Sequence, residues 1–446
     1  MFLNSSKSQP SVAPQEEHHA DRVDTSPATV ANNPIGLEDT GLEPGLLLNL
    51  MVKHLYDGDA LTLLQLSQRL ALRGSIVQAL LSEGKETGLV ENRQTSRSGQ
   101  QRFSLSGEGR RQAQNLFATS GYLGPAPVPL NQYRDVCRQQ SSRHHQITRE
   151  DFVEAMKEVV VPTGLLEQLG PALNSTRPLL IYGLAGTGKS FLCRQLNRLF
   201  QDEVLIPHAI AVGHHIVQVY DPHFHHKMEE DHGDELELVA ERVDGRWHRC
   251  QRPLLMIGGE LTLSMLDISF DSNSRTFRAP IGLTANNGIL LIDDLGRQTI
   301  SPKAIFNRWI LPLEEGRDFL SLPSGEHFEV PFEQLLLFST NLAPAELVDE
   351  AFLRRLGYKV HFGQLDKQTY LKIWQQNCDS FGLEAEPGLM DWALDRLYPE
   401  AQKPLLPCHP RDLLSIVSDQ VRFGGLPPVI TRDLLKHAWD LYFVKG

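Results

Sequence analysis

Residues 183–190, Gly-Leu-Ala-Gly-Thr-Gly-Lys-Ser, match the pattern GxxxxGK[ST] of loops that bind nucleotide phosphates. Glycine lets the backbone curl so that successive N–H groups point at phosphate oxygens. The Lys189 ammonium can then reach the β- and γ-phosphates, and the Ser190 hydroxyl can ligate Mg²⁺. These residue types at this spacing predict that the chain binds a nucleoside triphosphate together with Mg²⁺.

The elements around this loop are those that a phosphate site needs. Residues 178–182 are apolar and predict a buried strand, and residues 191–200 have the apolar spacing of a helix. A strand, a glycine loop and a helix start together place backbone N–H groups around a phosphate. The alternative is an ordinary glycine-rich turn, and the flanking strand and helix disfavour it.

A second apolar strand, residues 288–292, ends in two carboxylates, Asp293 and Asp294, as in a Walker B motif. Asp293 is expected to hold the Mg²⁺ shell. Asp294 is expected to orient and polarise the attacking water, since phosphoryl transfer depends on positioning and charge stabilisation. The alternative is a strand that ends in a solvated acidic turn.

Three later residues have the order and approximate spacing of motifs in AAA+ ATPases. Asn341 ends the apolar strand 333–341 and resembles the sensor 1 residue. Arg355, within residues 351–356, resembles the arginine finger, and the adjacent Arg354 stays as the alternative. Arg411 opens a later helix and resembles sensor 2. Residues 149–446 therefore resemble an AAA+ ATPase.

The resemblance implies an α/β fold, in which an AAA+ P-loop NTPase parallel sheet is flanked by helices and followed by an all-α lid. It implies ATP and Mg²⁺ as cofactors and a homo-oligomeric ring, with a hexamer expected. Catalytic roles fall to Lys189, Asp294, Asn341 and Arg355, although Asp294 stands where many such enzymes carry the longer Glu. Ser190 and Asp293 would hold Mg²⁺. The nucleotide contacts would come from Arg411 and from the loop residues Gly183, Leu184, Ala185, Gly186, Thr187, Gly188, Lys189, Ser190 and Phe191.

The stretch between the second and third motifs points to a subfamily. Residues 317–330 read as two alternating strands around a Ser-Gly turn. They resemble the pre-sensor 1 β-hairpin of the clade that contains MoxR-type chaperones, magnesium chelatases and bacterial enhancer-binding activators. Residues 285–288, Ala-Asn-Asn-Gly, are similar to the same group. The chain has no GAFTGA stretch, which argues against a sigma-54 activator. The closest description is MoxR-like.

Composition shifts predict five segments. Residues 1–40 are polar and predict a disordered tail, and residues 121–148 predict a linker that contains prolines. Between them, residues 41–120 show three helices, two short strands and a last helix, which resemble a winged-helix domain. An α/β ATPase core over 149–364 and an α-helical lid over 365–446 complete the chain.

The winged-helix-like segment leaves its partner open. Residues 45–120 carry nine Lys or Arg against six Asp or Glu, a net charge of +3. Arg93, Arg97 and Arg102 would flank the wing, which suits phosphate contacts and makes DNA a possible partner. The third helix, around 75–82, has few residues that could contact base edges. A structural or docking role is the alternative, and the sequence favours it.

Bulk properties bound the remaining expectations. A net charge of −12 disfavours binding of nucleic acid over the whole surface. The five scattered cysteines, with no CxxC pair, fit a reducing cytoplasm, and we find neither a signal peptide nor a membrane span. Seven histidines between His208 and His232 lie near acidic residues and could bind a metal. A polar inserted loop explains them more simply.

Together these features predict an ATP-hydrolysing protein of chaperone-like or remodelling type, which acts on a macromolecular client, most simply a protein. One alternative is an ATP-switched regulator that binds DNA through residues 41–120. Another is a scaffold with a degenerate nucleotide site. The intact Lys189, Asp293 and Asn341 speak against the scaffold, while the short Asp294 speaks mildly for it.

Overall fold

The computed structural model describes residues 31, 33–93, 101–175, 177–228, 244–347 and 350–443. Within these residues the N-terminal part consists of α1 (Pro44–Gly58), β1 (Ala60–Thr62), α2 (Leu63–Leu70), α3 (Gly74–Glu86), β2 (Val90–Arg93), β3 (Arg102–Leu105) and α4 (Gly107–Thr119). The strands form an antiparallel sheet in the order β1-β3-β2. The helices and strands that the sequence predicts here are present, and β1 is an addition. The predicted turn at 95–99 lies outside the described residues.

Side-chain caps fix two of these helix starts. Thr62 Oγ1 accepts a hydrogen bond from Gln65 N at 3.2 Å, and the Gln65 side chain accepts one from Thr62 N at 3.0 Å. This reciprocal pair is a capping box at the start of α2. Ser106 Oγ accepts from Gly109 N at 3.0 Å at the start of α4. The apolar faces of α1 to α4 then pack into one core with the strands.

Two predicted boundaries differ from the structure. The tail predicted to be disordered over 1–40 is packed at its end, since Ala31 and Thr40 are fully buried and a 3₁₀ turn covers Glu38–Thr40. Residues 1–30 lie outside the described residues. The segment 121–148, predicted as a linker, contains strand β4 (Val128–Pro129) and helix α5 (Leu130–Gln139).

Helix α5 is part of the protein's interior. Its residues Tyr133, Val136 and Cys137 share one helical face and are buried. The prolines upstream of Val128 give the segment the composition of a connector. That composition led to the prediction of a linker, although the apolar face of α5 follows directly. The linker prediction was therefore wrong for residues 128–139.

The middle of the chain holds the elements α6 (Arg149–Ala155), α7 (Thr163–Asn174), β5 (Leu179–Tyr182), α8 (Lys189–Gln195), β6 (Glu203–Pro207), β7 (Ala209–Val212), β8 (His215–Gln218), β9 (Trp247–Gln251), β10 (Leu254–Ile257), β11 (Ser269–Asp271), β12 (Thr276–Arg278), α9 (Ile281–Thr284), β13 (Ile289–Ile292), α10 (Pro302–Glu315), β14 (Arg317–Ser321), β15 (His327–Pro331), β16 (Leu335–Thr340), α11 (Pro344–Leu347), α12 (Glu350–Leu353) and β17 (Tyr358–His361). Five of these strands form a parallel sheet in the order β10-β13-β16-β5-β17. The predicted α/β fold, a parallel sheet flanked by helices, is confirmed.

Both faces of this central sheet are covered, which is why its strands are apolar throughout. Leu180 and Leu290 pack in one core with residues of α10. Ile181 and Leu291 pack in a second core with residues of α7 and α8. Alternate residues of each strand thus face opposite sides, and the polar side chains that carry chemistry are left to the strand ends.

The chain also forms a second five-stranded sheet. Its order is β11-β12-β8-β7-β4, with parallel and antiparallel pairs, and β6 pairs separately with β9. The hairpin predicted over 317–330 is present, because β14 and β15 pair antiparallel from Arg317 opposite Pro331 to Ser321 opposite His327. One core joins α5, this second sheet and the inner face of the hairpin.

The C-terminal part is built from α13 (Lys367–Phe381), β18 (Glu384–Ala385), α14 (Leu389–Trp392), a π-helical turn (Ala393–Leu397), α15 (Tyr398–Glu400), α16 (Cys408–Gly424), β19 (Val429–Ile430) and α17 (Arg432–Tyr442). The helices pack around one core. The short parallel pair β18 and β19 is an addition to the predicted all-α arrangement. Within the described residues, no helix has the length and apolar character needed to cross a bilayer.

Candidate nucleotide-binding site

The predicted site residues follow three neighbouring strands of the central sheet. The glycine loop follows β5, Asn341 follows β16, and Asp293 and Asp294 follow β13. Because these strands are parallel and adjacent, their carboxyl ends meet at one edge. Strand β5 lies where the strand order changes direction, between β16 and β17. Open α/β sheets bind ligands at such a point.

The loop has a backbone that other residues would not adopt. Gly183, Gly186 and Gly188 have φ values of 148°, 81° and 83°. A Cβ atom on Gly183 would lie 2.1 Å from the Phe362 carbonyl oxygen, and one on Gly186 would lie 2.5 Å from Cys408 Sγ. Two of the three glycines are thus required by close contacts as well as by conformation.

Lys189 is held at the centre of the site. Its Nζ donates hydrogen bonds to the carbonyl oxygens of Gly183 and Leu184, both at 2.9 Å, and to Asn341 Oδ1 at 2.7 Å. Burial lowers the pKa of Lys189, while the charges of Asp294 and Asp293 oppose that shift. The lysine is therefore a positive group shielded from solvent, at the loop where phosphates are expected.

Asn341 joins the lysine to a carboxylate. Its Nδ2 donates to Asp294 Oδ1 at 3.0 Å, while its Oδ1 accepts from Lys189. Asp294 has a φ of 49°, a left-handed conformation that Asp tolerates better than most residues. This backbone turns the side chain of Asp294 towards Asn341, and the chain Lys189–Asn341–Asp294 spans three strand ends.

Asp293 and Ser190 are the residues predicted to hold Mg²⁺. Asp293 is buried, and its Oδ1 accepts a hydrogen bond from Asp294 N at 3.0 Å. Gln298 Nε2 donates to the Asp293 carbonyl oxygen at 2.9 Å and fixes the turn. Ser190 lies in the first turn of α8, next to Lys189. A carboxylate and a hydroxyl are oxygen ligands of the kind that Mg²⁺ prefers.

The C-terminal helices touch the glycine loop. Cys408, the first residue of α16, donates its N–H to the Gly186 carbonyl oxygen at 3.3 Å. Sequence reasoning missed Cys408, since a lone cysteine far along the chain gives no signal of this contact. Loop residues Leu184 and Phe191 are exposed.

Arg411 follows in the first turn of α16. Its guanidinium donates to Asp412 Oδ1 at 3.0 and 3.1 Å, and its side chain is largely exposed. Asp412 Oδ2 in turn accepts from the Tyr442 hydroxyl at 3.0 Å. The structure thus places Arg411 on the helix that contacts the loop, with the guanidinium bound to its own neighbour.

The two candidate finger arginines have different partners. Arg355 Nε donates to Glu314 Oε1 of α10 at 2.6 Å. Arg354 Nη2 donates to Glu350 Oε1, one turn earlier, at 3.1 Å. The hydrogen bonds of Lys189, Asn341 and Asp294 include neither arginine. Both arginines directly follow α12 and are not part of that hydrogen-bonded chain.

Two histidines of the histidine-rich segment, His208 and His225, hydrogen-bond to other parts of the chain. His225 Nδ1 accepts from Asp221 N, and its Nε2 donates to the Thr284 carbonyl oxygen, both at 2.9 Å. His208 and His248 share a hydrogen bond at 3.2 Å, and burial lowers their pKa values to about 4 and about 3. Among the described residues no three His, Cys, Asp or Glu side chains could hold a metal ion together. Residues 229–243 lie outside them.

Asn286 and Asn287, noted in the sequence for their resemblance, bind the elements around β13. Asn286 Nδ2 donates to the Tyr133 hydroxyl at 2.8 Å and to the Pro331 carbonyl oxygen at 2.9 Å. Asn287 Nδ2 donates to the Cys137 carbonyl oxygen at 2.7 Å. The strand that carries Asp293 is therefore tied at its start to α5 and to the end of the hairpin.

A family described as a domain of unknown function (DUF8689) matches residues 366–441, which belong to the C-terminal helices. No curated protein matches the chain. Among solved structures, NtrX from Brucella abortus is similar with a TM-score of 0.40 and 13% identity, and the match covers 65% of this chain and 56% of that chain.

Two further structures are similar at the same level. The RuvB Holliday junction branch migration motor of Thermotoga maritima has a TM-score of 0.38 and 12% identity, with 65% of this chain and 72% of that chain covered. The AAA domain of FIGL-1 in complex with ADP has a TM-score of 0.32 and 12% identity, with 68% and 80% covered. The chain spans a little over half the length of the NtrX structure. Similarity at these scores carries no argument about activity.

Proposed function

We propose that this chain is an AAA+ ATPase that binds ATP with Mg²⁺ in the loop 183–190 and hydrolyses it to remodel a protein client. The observation that carries the proposal is the hydrogen-bonded chain Lys189–Asn341–Asp294 at the carboxyl ends of three adjacent parallel strands. In this order the cation can bind a phosphate group, the amide can orient the groups on either side of it, and the carboxylate can hold an attacking water. A scaffold with a degenerate nucleotide site would not need to keep these three side chains hydrogen-bonded to one another.

ATP supplies the transferable phosphoryl group, and Mg²⁺ would be held by Ser190 and Asp293. Lys189 neutralises phosphate charge from a shielded position, which strengthens its electrostatic effect. Asp294 accepts the hydrogen bond of the attacking water and orients it. Asn341 keeps the Asp294 carboxylate and the Lys189 ammonium at a fixed separation.

Arg411 and Arg355 are proposed to complete the site. Arg411 lies on α16, whose start touches the glycine loop, so closure of the C-terminal helices would bring its exposed guanidinium to the nucleotide. Arg355 lies beyond the chain Lys189–Asn341–Asp294, which supports a role at the nucleotide of a neighbouring copy. We therefore propose a homo-oligomeric ring, with a hexamer expected, that works in the cytoplasm.

The N-terminal part supports a protein client over DNA. Many of its cations are paired with acids: Arg69 lies 2.7 Å from Asp57, and Arg93 and Arg110 lie 2.7 and 3.0 Å from Asp59. The exposed residues of α3 are small, neutral or acidic, and are Ser75, Gln78, Ala79, Ser82 and Glu86. A helix with this face has little to offer phosphates or base edges.

Nucleotide titration and steady-state hydrolysis test the proposal. The wild-type chain should bind Mg·ATP, Lys189→Ala should weaken binding at least tenfold, and Asp294→Asn should bind ATP but lose turnover. Lys303→Ala, an exposed lysine on α10, is the matched control and should behave as wild type. Equal binding by wild type and Lys189→Ala would contradict the site. ATP binding without turnover would favour the scaffold, and salt-dependent duplex binding would favour the DNA regulator.

A further inference from the structure

Two adjacent arginines directly follow the short helix α12, and they form ion pairs with different parts of the chain. Arg355 pairs with Glu314 on α10, whereas Arg354 pairs with Glu350 at the start of α12. We propose that Glu314 is a positioning residue that holds Arg355 until the nucleotide of a second copy competes for its guanidinium. Glu314 would then set how readily copies assemble around ATP. This inference rests on the proposed function.

The position of Glu314 makes it a suitable holder. Glu314 lies in the last turn of α10, and that turn contains no basic residue. The carboxyl end of a helix carries partial negative charge, so a carboxylate there needs a cation from elsewhere. The neighbouring Glu315 meets the same need through Arg317 at 2.7 Å. The helix end is thus an acidic site that attracts arginines.

The backbone that carries Arg355 is fixed against the same helix. The Phe352 ring lies 3.9 Å from the Phe306 ring of α10, measured between centroids. Arg355 N donates to the Phe352 carbonyl oxygen at 2.8 Å, and the next residue, Leu356, is buried. Because the backbone is anchored, the Arg355 guanidinium leaves Glu314 by rotation of its side chain and not by movement of the helix.

The pair is also accessible from outside. The side chains of Arg355 and Glu314 are 35% and 48% exposed, so a phosphate group on another molecule can approach the guanidinium. An ion pair with this exposure contributes modestly, and its loss corresponds to about a two- to fivefold change in an equilibrium. The Arg354–Glu350 pair is more exposed, at 76% and 82%, and provides a matched comparison.

Sedimentation with Mg·ATP tests the inference without relying on turnover. In an Asp294→Asn background, Glu314→Gln should lower the protein concentration at half-maximal assembly about two- to fivefold. Glu350→Gln in the same background should leave it unchanged. Raising the ionic strength should reduce the difference between Glu314→Gln and its parent, because salt screens an exposed pair. Melting temperatures of the variants confirm that each is folded.

A second measurement ties the effect to Arg355. In the otherwise wild-type chain, ATP hydrolysis against protein concentration should shift by the same factor in Glu314→Gln. Arg355→Ala and Arg355→Ala/Glu314→Gln should be equally impaired, since Glu314 then has nothing to hold.

Three results would overturn the inference. If Glu314→Gln and its parent assemble at the same half-maximal protein concentration, Glu314 does not hold Arg355. The same conclusion follows if Glu314→Gln still changes hydrolysis in the Arg355→Ala background. Either result leaves the proposed ATPase function untouched. A shift in Glu350→Gln would assign the role to Arg354 instead. Failure of the wild-type chain to bind ATP would contradict the proposed function itself.

Discussion

Replacing Arg246 by methionine should loosen the contact between helix α2 and residues 126–127, which lead into β4. We call this contact the joint between the N-terminal helices and the second sheet. Arg246 and Asp244 form an ion pair whose side chains are both 0% exposed. Arg246 Nε donates to both Asp244 oxygens at 3.0 and 2.9 Å, and Nη1 donates to the carbonyl oxygens of Thr40 and Pro127 at 3.2 and 3.1 Å. One guanidinium therefore joins three separate stretches of chain.

The expected cost follows from burial. Removing one partner of a buried ion pair leaves the other charge uncompensated, at about 3–5 kcal/mol. Methionine keeps most of the side-chain volume, so little is added for a cavity. At about 1.4 kcal/mol for each factor of ten, the joint should open roughly 10²- to 4×10³-fold more often.

Hydrogen exchange of the Ala126 amide measures this opening. That N–H donates to the Leu70 carbonyl oxygen at 2.8 Å and so bridges the joint. The matched control is Arg249→Met on β9, whose partner Glu203 is partly exposed, and it should accelerate exchange no more than about fivefold.

A double variant separates charge from packing. Asp244→Asn combined with Arg246→Met removes both charges and should recover at least half of the lost protection. If Arg246→Met accelerates exchange of the Ala126 amide less than tenfold, the ion pair does not stabilise the joint and the reasoning is wrong.

Three further predictions concern the site and the interior. Asn341→Ala should lower kcat for ATP about 10- to 100-fold with little change in KM, since it removes hydrogen bonds to two charged groups; a loss below threefold would contradict this. Gly186→Ala should weaken ATP binding at least tenfold in a calorimetric titration, because its φ is 81° and a Cβ would contact α16; unchanged affinity would show that the loop adjusts freely. Burial lowers the pKa of Lys53 from 10.5 to about 8, so the unfolded chain binds more protons between these values and the stability contributed by Lys53 rises with pH there. Thermal unfolding from pH 7 to pH 10 should show a smaller rise for Lys53→Met than for wild type, and equal slopes would refute the assignment.

Local patterns predicted the strands of the site well. The apolar runs before Gly183, Asp293 and Asn341 are the strands β5, β13 and β16. Each is covered on both faces, so its hydrophobicity is continuous and its ends are marked by polar residues or glycine. The hairpin 317–331 could also be predicted, because apolar and polar residues alternate along its strands and one face is buried.

Contacts between distant stretches could not be read in the same way. The sequence predicts a linker where helix α5 lies, because the partners of α5 in the core, such as Ile210 and Val330, are far along the chain. Two contacts depend on how separate elements pack. One is the contact of Cys408 with the glycine loop, and the other is the ion pair of Arg355 with Glu314. Residue spacing along a sequence does not record such packing.

The pairing of β4 with β7 limits how this protein can be divided. Val128 and Pro129 lie beside Ile210 and Ala211 as the outer strand of the second sheet. A fragment that begins at residue 149 would lack this strand and α5, so β7 would become an open edge above an uncovered core. Exposed edges of this kind favour aggregation. Shortened versions of the chain should therefore keep residues 128–139 and be judged by solubility before activity.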